Sequence, residues 1–83
     1  MSGATVIKVF ETPTFKKAFK KLPESDKDLV EDEIEKIIAD PEIGEPKKGD
    51  LAYLWVHKFK LKKRLVLLGY SWQADQLHLY LMH

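Results

Sequence analysis

Several components of common functional sites are missing from this sequence of 83 residues. It contains no cysteine, which excludes disulfide bonds and thiolate chemistry, and it contains no glycine-rich phosphate-binding loop. No apolar run approaches the roughly 20 residues that a membrane span requires. The N-terminus also lacks the basic and apolar regions of a signal peptide. We therefore expect a cytoplasmic protein that does not associate with a membrane.

Histidine is scarce, and its spacing does not favour a metal site. The three histidines, His57, His78 and His83, do not show a helical ligand spacing such as H-x-x-x-H. In a regular strand, His78 and His83 are expected on opposite faces. The sequence therefore predicts neither a zinc site nor another cofactor.

Carboxylates are absent between Asp50 and Asp75. The same stretch carries a local charge of +5, in a chain whose formal net charge is +1. The five cations, none of them compensated nearby in sequence, are Lys58, Lys60, Lys62, Lys63 and Arg64. Large apolar residues alternate with the first of them and flank the rest, and these residue types fit a half-buried pleated surface. The sequence therefore predicts that the charge lies on β-strands.

The first of these strands is expected to have one inward face and one cationic face, because successive side chains of a strand point to opposite sides. The inward face would carry Trp55, His57, Phe59 and Leu61. The cationic face would carry Lys58, Lys60 and Lys62. The hairpin is predicted to turn near residues 61–63, so that Arg64 opens the next strand and returns close to Lys60 and Lys58.

Residues 64–70 form a nearly continuous apolar run, which is typical of a central strand covered on both faces. We expect Leu65 and Leu67 to share one core with the helices, and this packing to hold Arg64 rigidly. Of the five cations, Arg64 is therefore expected to contribute most to catalysis, because a fixed guanidinium can direct two donors at a phosphate.

The rest of the chain predicts two helices and two further strands. A strand is expected over residues 4–10. The first helix starts with Thr12 as N-cap and ends before Pro23, and the second starts with Ser25 as N-cap and ends at Asp40. A loop over residues 41–50, a turn over 72–76 and a last strand over 77–83 complete the chain.

The predicted order is β-α-α-β-β-β. It describes an α+β fold in which two N-terminal helices pack on a small, mostly antiparallel sheet of three to four strands. The first strand is expected inside the sheet, reached through a crossover. The composition, 45% hydrophobic and 33% charged, is that of an ordinary globular protein, and the length predicts one domain over residues 1–83.

A cationic strand surface suits a phosphodiester partner, because its charges hold the backbone and stabilise negative charge that develops on phosphorus. His57, His83 and Tyr80 are the nearby side chains suited to proton transfer or base stacking. Other interpretations stay open. Strand lysines also protect sheet edges and keep proteins soluble, His57 and Tyr80 equally fit structural roles, and the domain could be a non-catalytic binding module.

Several segments together resemble one family of proteins. They are the helix segment TPTFKKAFKKLPES, the helix end IIADPEIG, the segment GDLxxLWVHKFK, and the strand RLVLLGY followed by LHLYLM. Over nearly its whole length, the chain resembles the RelE/ParE superfamily of toxins from type II bacterial toxin–antitoxin systems. The resemblance implies a small toxin that inhibits growth and is neutralised by a co-expressed antitoxin wrapping its surface, as a hetero-oligomer.

The resemblance also implies an activity. RelE-like members cleave mRNA in the ribosomal A site without a metal, by attack of the ribose 2′-hydroxyl on the adjacent phosphate, whereas ParE-like members inhibit DNA gyrase. A ribosome-dependent endoribonuclease is the first expectation, and a gyrase inhibitor is the alternative.

By position, Lys58 and Lys60 resemble the paired strand cations of RelE-like toxins, and Arg64 resembles the arginine that opens the following strand. His83 is the fourth candidate catalytic residue, although family members usually continue past this strand into a segment with further Arg, His or Tyr residues. The candidate RNA-binding residues are Lys62, Lys63, His57 and Tyr80.

Overall fold

The computed structural model describes residues 7–51 and 53–83. Within them the chain forms β1 (Lys8–Glu11), α1 (Pro13–Lys20), α2 (Glu24–Ala39), β2 (Glu45–Pro46), a short 3₁₀ helix (Gly49–Leu51), β3 (Trp55–Leu61), β4 (Arg64–Gln73) and β5 (Gln76–Met82). The predicted order of elements is confirmed, with the two-residue β2 as an addition. Residues 4–6 of the first predicted strand lie outside the described residues.

The strands form one five-stranded sheet in the order β1-β5-β4-β3-β2. Neighbours are antiparallel, except that β1 runs parallel to β5. The predicted α+β fold with a mostly antiparallel sheet is therefore confirmed. The prediction that the first strand lies inside the sheet is wrong, because β3, β4 and β5 pair in succession and leave only edge positions to β1 and β2.

Helix α1 begins as predicted. The Thr12 hydroxyl accepts a hydrogen bond from the Phe15 backbone N–H at 3.2 Å, and it donates one to the Tyr80 carbonyl at 2.6 Å. Pro13 occupies the first turn, where its missing N–H costs nothing. The cap therefore both starts the helix and ties it to β5.

Helix α2 starts two residues earlier than a Ser25 cap would require. Pro23 is the N-cap and makes no side-chain hydrogen bond, so the prediction of Ser25 as N-cap is wrong. Glu24 and Asp26 lie in the first turn, where carboxylates interact favourably with the helix dipole. Electrostatics at this end therefore take the place of a capping side chain.

Both helices pack on the same face of the sheet and enclose the core. The buried apolar residues are Phe15, Val30, Ile34, Ile37, Phe59, Leu61, Val66, Leu68, Tyr70, Leu77 and Leu79, with Phe19 and Ile38 packed against them. Each fully buried side chain of this kind stabilises the fold by about 1.5–3 kcal/mol. The core accordingly lies between the helices and β3, β4 and β5.

The predicted coverage of the strand over residues 64–70 is wrong. Val66 and Leu68 belong to the core, whereas the side chain of Leu65 is 56% exposed and Leu67 lies outside the core cluster. The helices cover only one face of the sheet, so every second apolar side chain of β4 points to the other face.

Both hairpin turns are shorter than the sequence suggested. Leu61 pairs with Arg64 and Gln73 pairs with Gln76, which leaves two residues in each loop. Each loop begins with a positive φ, +60° at Lys62 and +55° at Ala74, as two-residue hairpin turns require. The turn expected over residues 72–76 is therefore limited to residues 74–75, because β4 continues to Gln73 and β5 begins at Gln76.

Candidate functional site

The face of the sheet opposite the helices, here called the open face, carries the two paired strand cations. Lys58 and Lys60 are exposed on it, while the alternating Phe59 and Leu61 are buried on the helix side. The predicted division of β3 into two faces is confirmed for these residues. The expectation that Lys62 shares the cationic face is wrong, because Lys62 lies in the turn and its ammonium pairs with Asp26 of α2. Lys58 lies opposite Leu67 of β4, and Lys60 lies opposite Leu65.

A β-bulge brings His83 to the same face. The register between β4 and β5 shifts between Gly69 and Tyr70, which leaves Tyr80 without an opposite residue. The expectation that His78 and His83 lie on opposite faces is wrong, because this extra residue reverses the alternation between them. Leu81 and His83 therefore point to the open face, where a regular strand would have turned them toward the helices.

Backbone hydrogen bonds hold His83 in place. Its N–H donates to the Leu67 carbonyl at 2.9 Å, and its carbonyl accepts from the Leu67 N–H at 2.8 Å. Leu67 in turn pairs with Lys58. Because adjacent strands lie about 4.8 Å apart, the backbones at Lys58 and His83 are about 10 Å apart across the sheet. Both side chains can therefore reach one nucleotide.

Lys58, Leu67 and His83 line a cavity of about 640 Å³ on the open face, here called the cationic cavity. Its lining residues are Glu45, Pro46, Lys47, Lys48, Leu54, Val56, Lys58, Leu67, Gly69, Leu81 and His83. The floor is apolar, and three lysines and a histidine supply most of its polar groups. Such a surface lowers the local dielectric constant and so strengthens the interaction of its cations with a phosphate.

Two lysines of this cavity, Lys47 and Lys48, were missed by the sequence analysis. They follow β2, whose Glu45 and Pro46 pair with β3, and the Lys47 N–H donates to the Leu54 carbonyl at 2.8 Å. The only sequence signal is a pair of lysines within the predicted loop. The pairing of β2 with β3 is a tertiary contact, and a strand of two residues is too short to be predicted from the sequence.

Arg64 lies on the helix side of the hairpin and not in the cationic cavity. It pairs with Leu61, which is buried under the helices, and it lines a second cavity of about 780 Å³. The lining residues of this helix-side cavity are Ala18, Lys21, Leu22, Pro23, Asp26, Leu61, Lys62, Lys63 and Arg64. The structure therefore separates Arg64 and Lys63 from Lys58 and His83.

Lys62 is compensated by an acid from another part of the chain. Its Nζ lies 3.1 Å from Oδ1 of Asp26 and 3.5 Å from the Ser25 hydroxyl, so the hairpin tip is tied to the start of α2. Among the described residues, no carboxylate forms an ion pair with the other four cations of the hairpin. Within the described residues, four cations of the hairpin therefore remain uncompensated, instead of the expected five.

His57 is buried on the helix side, with 8% of its surface exposed. Its Nε2 lies 2.7 Å from Oε1 of Glu33, which also accepts a hydrogen bond from Lys36 at 2.8 Å. Burial opposes ionisation of Glu33, but the hydrogen bonds from Lys36 and His57 outweigh it and hold the pKa of this carboxyl below its ordinary value. His57 thus links β3 to α2 and is separated from the open face.

Tyr80 lies on the open face beside other aromatic residues, away from the cationic cavity. Its ring is 6.2 Å from the ring of His78 and 6.0 Å from that of Tyr53. The lysines of α1 do not extend the cationic surface, because the helix lies on the opposite side of the sheet. Over residues 7–51 and 53–83, no three histidine, aspartate or glutamate side chains group as metal ligands, and no helix is long and apolar enough to cross a membrane.

Two helices on one face of a small sheet form a fold that solved toxin–antitoxin complexes also contain. The structure matches a chain of the intact Escherichia coli RelBE toxin–antitoxin complex with a TM-score of 0.73 and 14% identity, over 93% of this chain and 94% of that one. It matches the archaeal RelE–RelB complex from Pyrococcus horikoshii with a TM-score of 0.59 and 17% identity, over 93% and 92% of the two chains.

A conserved hypothetical protein from Helicobacter pylori is also similar, with a TM-score of 0.53 and 20% identity over 93% and 92% of the two chains. A comparison with curated proteins found no match. Residues 9–83 match the model of the ParE-like toxins of type II bacterial toxin–antitoxin systems. The chain therefore belongs to this toxin family, and the resemblance noted in the sequence is confirmed.

Proposed function

We propose that this toxin is a ribosome-dependent mRNA endoribonuclease whose active site is the cationic cavity. The observation that carries the proposal is the convergence of Lys58 and His83 on one concave surface, with Lys47 and Lys48 at its rim. A surface that only protected a sheet edge would need neither a cavity nor a histidine held by two backbone hydrogen bonds.

The groups in the cavity suit cleavage by the neighbouring ribose. In such a reaction the 2′-oxygen bonds to phosphorus, the bond to the 5′-oxygen breaks, one proton leaves the 2′-hydroxyl and one is gained by the 5′-oxygen. Histidine is suited to proton transfer near neutral pH, so His83 is the proposed partner for one of these protons. Lys58 is proposed to stabilise the extra negative charge that develops on the phosphate.

The other cations are assigned binding roles. Lys60 lies two residues beyond Lys58 on the same face, about 7 Å further along the strand, where it can contact a neighbouring phosphate. Lys47 and Lys48 can hold the backbone on the opposite rim. These contacts contribute affinity that falls with increasing salt, because phosphate binding releases counterions.

An antitoxin is the proposed partner, supported by family membership and by the two structural neighbours that are toxin–antitoxin complexes. We expect an acidic segment of the antitoxin to cover the cationic cavity, since opposite charges accelerate association and a covered cavity excludes RNA. Neutralisation and catalysis would then compete for the same lysines.

Inhibition of DNA gyrase is the second candidate function, and one observation favours it. The cations of the hairpin are divided between two faces, with Arg64 and Lys63 on the helix side, so the open face carries fewer cations than a single catalytic cluster would. A toxin that binds a protein target does not require all its cations around one phosphate.

Expression of the toxin without its antitoxin distinguishes these functions. We expect growth arrest with mRNA cuts that map to translated codons and that disappear when translation initiation is blocked. A DNA-damage response with intact mRNA would instead support the gyrase target. Unimpaired growth at verified expression would support a non-catalytic binding module and contradict both toxin activities.

A matched pair of variants links the activity to the cavity. His83→Ala should abolish most cleavage in ribosome assays, whereas Gln76→Ala, an exposed change on the same strand outside the cavity lining, should leave it unchanged. Equal activity of the two variants would contradict the proposed role of His83.

A further inference from the structure

A second group of side chains on the open face is not used by the proposed reaction. Four aromatic rings, here called the aromatic row, follow one another across β1, β5 and the segment before β3. Ring centroids are 5.0 Å apart between Phe10 and His78, 6.2 Å between His78 and Tyr80, and 6.0 Å between Tyr80 and Tyr53. The first three rings are stacked and the last contact is edge-on.

The row does not belong to the hydrophobic core. Phe10 is 44% exposed and Tyr53 is 57% exposed, and neither belongs to the core cluster on the helix side. Exposed aromatic rings that stack in a line present flat apolar surface to solvent. Such a surface is typical of sites that bind another flat, apolar-faced group.

A cavity of about 480 Å³ opens at one end of the row, here called the aromatic cavity. It is lined by Tyr53, Trp55, Ser71, Trp72, Gln73, His78 and Tyr80. The rings of Tyr53, His78 and Tyr80 belong to the aromatic row, and Ser71 and Gln73 offer hydroxyl and amide groups able to exchange hydrogen bonds. Trp55 and Trp72 border the cavity from the helix side, where the Trp55 ring contacts those of Tyr70 and Trp72. This combination of π-faces and a few polar groups matches the chemistry of a nucleobase, which needs stacking for its faces and hydrogen bonds for its edge.

The aromatic cavity adjoins the cationic cavity on the same face. Gly69 lines the cationic cavity and Ser71, two residues further along β4, lines the aromatic one, so their positions are about 7 Å apart. The bulge at Tyr80 contributes to both sites, since it turns Leu81 and His83 toward one cavity while Tyr80 lies in the other.

We infer that the aromatic cavity is a subsite for an unpaired nucleobase of a single-stranded RNA whose backbone lies on the cationic cavity. The inference rests on the proposed function, because it assumes that RNA occupies the open face. The neighbouring positive charge favours a nucleic acid over an uncharged apolar ligand. Tyr53 and Tyr80 would stack on the base, and Ser71 and Gln73 would contact its edge.

The rings of Tyr53, His78 and Tyr80 provide a direct measurement of occupancy. These rings belong to the aromatic row and line the aromatic cavity. A base that stacks there will shift the NMR signals of their ring protons. The probes are a labelled single-stranded RNA oligonucleotide and one of equal length with abasic sites, and fluorescence anisotropy measures total binding in parallel.

We expect the RNA with bases to shift these ring signals and to bind about tenfold more tightly than the abasic RNA. Tyr53→Leu and Tyr80→Leu, which remove a ring but keep apolar bulk, should each bring the two affinities together. Lys58→Ala should weaken both RNAs alike, since it removes charge only. Leu29→Ala, a loss of exposed apolar surface on α2, is the matched control and should change neither.

Several results would overturn the inference while leaving the proposed function testable on ribosomes. They are binding of both RNAs with equal affinity, binding without a shift of the ring signals, an unchanged affinity ratio in both tyrosine variants, and absence of binding at low salt. A shift of the ring signals by the co-expressed antitoxin, with none by RNA, would assign the aromatic cavity to the protein partner and would also overturn it. Cleavage of mRNA by the parent toxin on ribosomes then decides the proposed function separately.

Discussion

Lys58 and Arg64 are six residues apart in the chain but lie on opposite faces of the sheet. Sequence position favoured Arg64 as the main catalytic residue, because it opens a strand held by apolar neighbours. In the structure, Arg64 lines the helix-side cavity and Lys58 shares the cationic cavity with His83. We therefore assign the reaction to Lys58, because it lies in the cationic cavity, and not to Arg64, although Arg64 opens a strand.

Lys58→Ala is therefore expected to lower the cleavage rate at saturating ribosomes by about 10²-fold, the scale for loss of one preorganised donor to transition-state charge. Lys63→Ala, at the hairpin tip, removes the same charge outside the cavity and should mainly weaken binding. Single-turnover cleavage, with a binding titration at two salt concentrations, measures both effects. Equal losses in the two variants would show that only total charge matters.

Glu33 gives the fold a dependence on pH that can be assigned to one residue. Its pKa is held below the ordinary value of 4.5, so the folded state favours the carboxylate more than the unfolded state does. The resulting stability is complete above that value and is lost as the pH falls through the lower, folded-state pKa. The sign follows because the unfolded chain takes up the proton first.

We expect Glu33→Gln to lower the free energy of unfolding by about 1–2 kcal/mol at pH 7, since it weakens hydrogen bonds to His57 and Lys36. The difference from the parent should shrink in urea titrations below pH 4. Glu35→Gln, an exposed change on the same helix, is the control. A difference that stays constant from pH 7 to pH 3 would contradict the assignment to the Glu33 carboxylate.

At the scale of elements, the segment between α2 and β3 is anchored by one buried hydroxyl. Tyr70 of β4 is fully buried, donates to the Pro41 carbonyl at 2.6 Å and accepts from the Gly44 N–H at 3.1 Å. Burial raises the pKa of this phenol, which keeps it a donor over the physiological range. Gly44 must stay small, because a Cβ there would lie 2.8 Å from the same hydroxyl.

Tyr70→Phe is predicted to destabilise the protein by about 1–2 kcal/mol, because it leaves a carbonyl and an N–H without their partner. The loosened segment leads directly into β2 and Lys47, so the variant should also bind RNA more weakly at equal folded fraction. Denaturant unfolding and oligonucleotide anisotropy measure the two effects. Tyr53→Phe removes an exposed hydroxyl and should leave stability unchanged.

Loss of RNA affinity without loss of stability in Tyr70→Phe would mean that the hydroxyl acts on binding by another route. Loss of stability without any change in binding would show that Lys47 and Lys48 are held by β2 alone.

At the scale of the whole molecule, cations occupy surfaces on both sides of the sheet. The open face carries Lys47, Lys48, Lys58 and Lys60, while α1 carries Lys16, Lys17 and Lys20 on the outer side of the helix layer. The sequence analysis considered only the charge on the strands. The structure offers two surfaces of similar charge, which makes a controlled comparison possible.

A triple variant with alanine at Lys47, Lys58 and Lys60 should abolish toxicity in growth assays, because it removes the charge that holds RNA. A triple variant with alanine at Lys16, Lys17 and Lys20 loses the same net charge and should stay toxic. Equal growth of the two strains at matched expression would show that toxicity depends on net charge and not on the cations of the open face.

The sequence alone determined the faces of β3 and the start of α1. Alternation fixed Lys58 and Lys60 opposite Phe59 and Leu61, because the two-residue period of a strand follows from its backbone geometry. Thr12 and Pro13 marked the helix start, because capping depends on residues adjacent in the chain. These are local properties, which a pattern of neighbouring residues contains in full.

Only the tertiary structure decided the composition of the site. The bulge at Tyr80 turns His83 toward Lys58, the pairing of β2 with β3 brings Lys47 and Lys48 to the same cavity, and the two-residue turn sends Arg64 to the other face. Each depends on the register between segments that are distant in the chain or on the exact length of a turn. A shift of one residue exchanges the faces of a strand, so small differences in pairing that leave the fold unchanged decide which side chains meet.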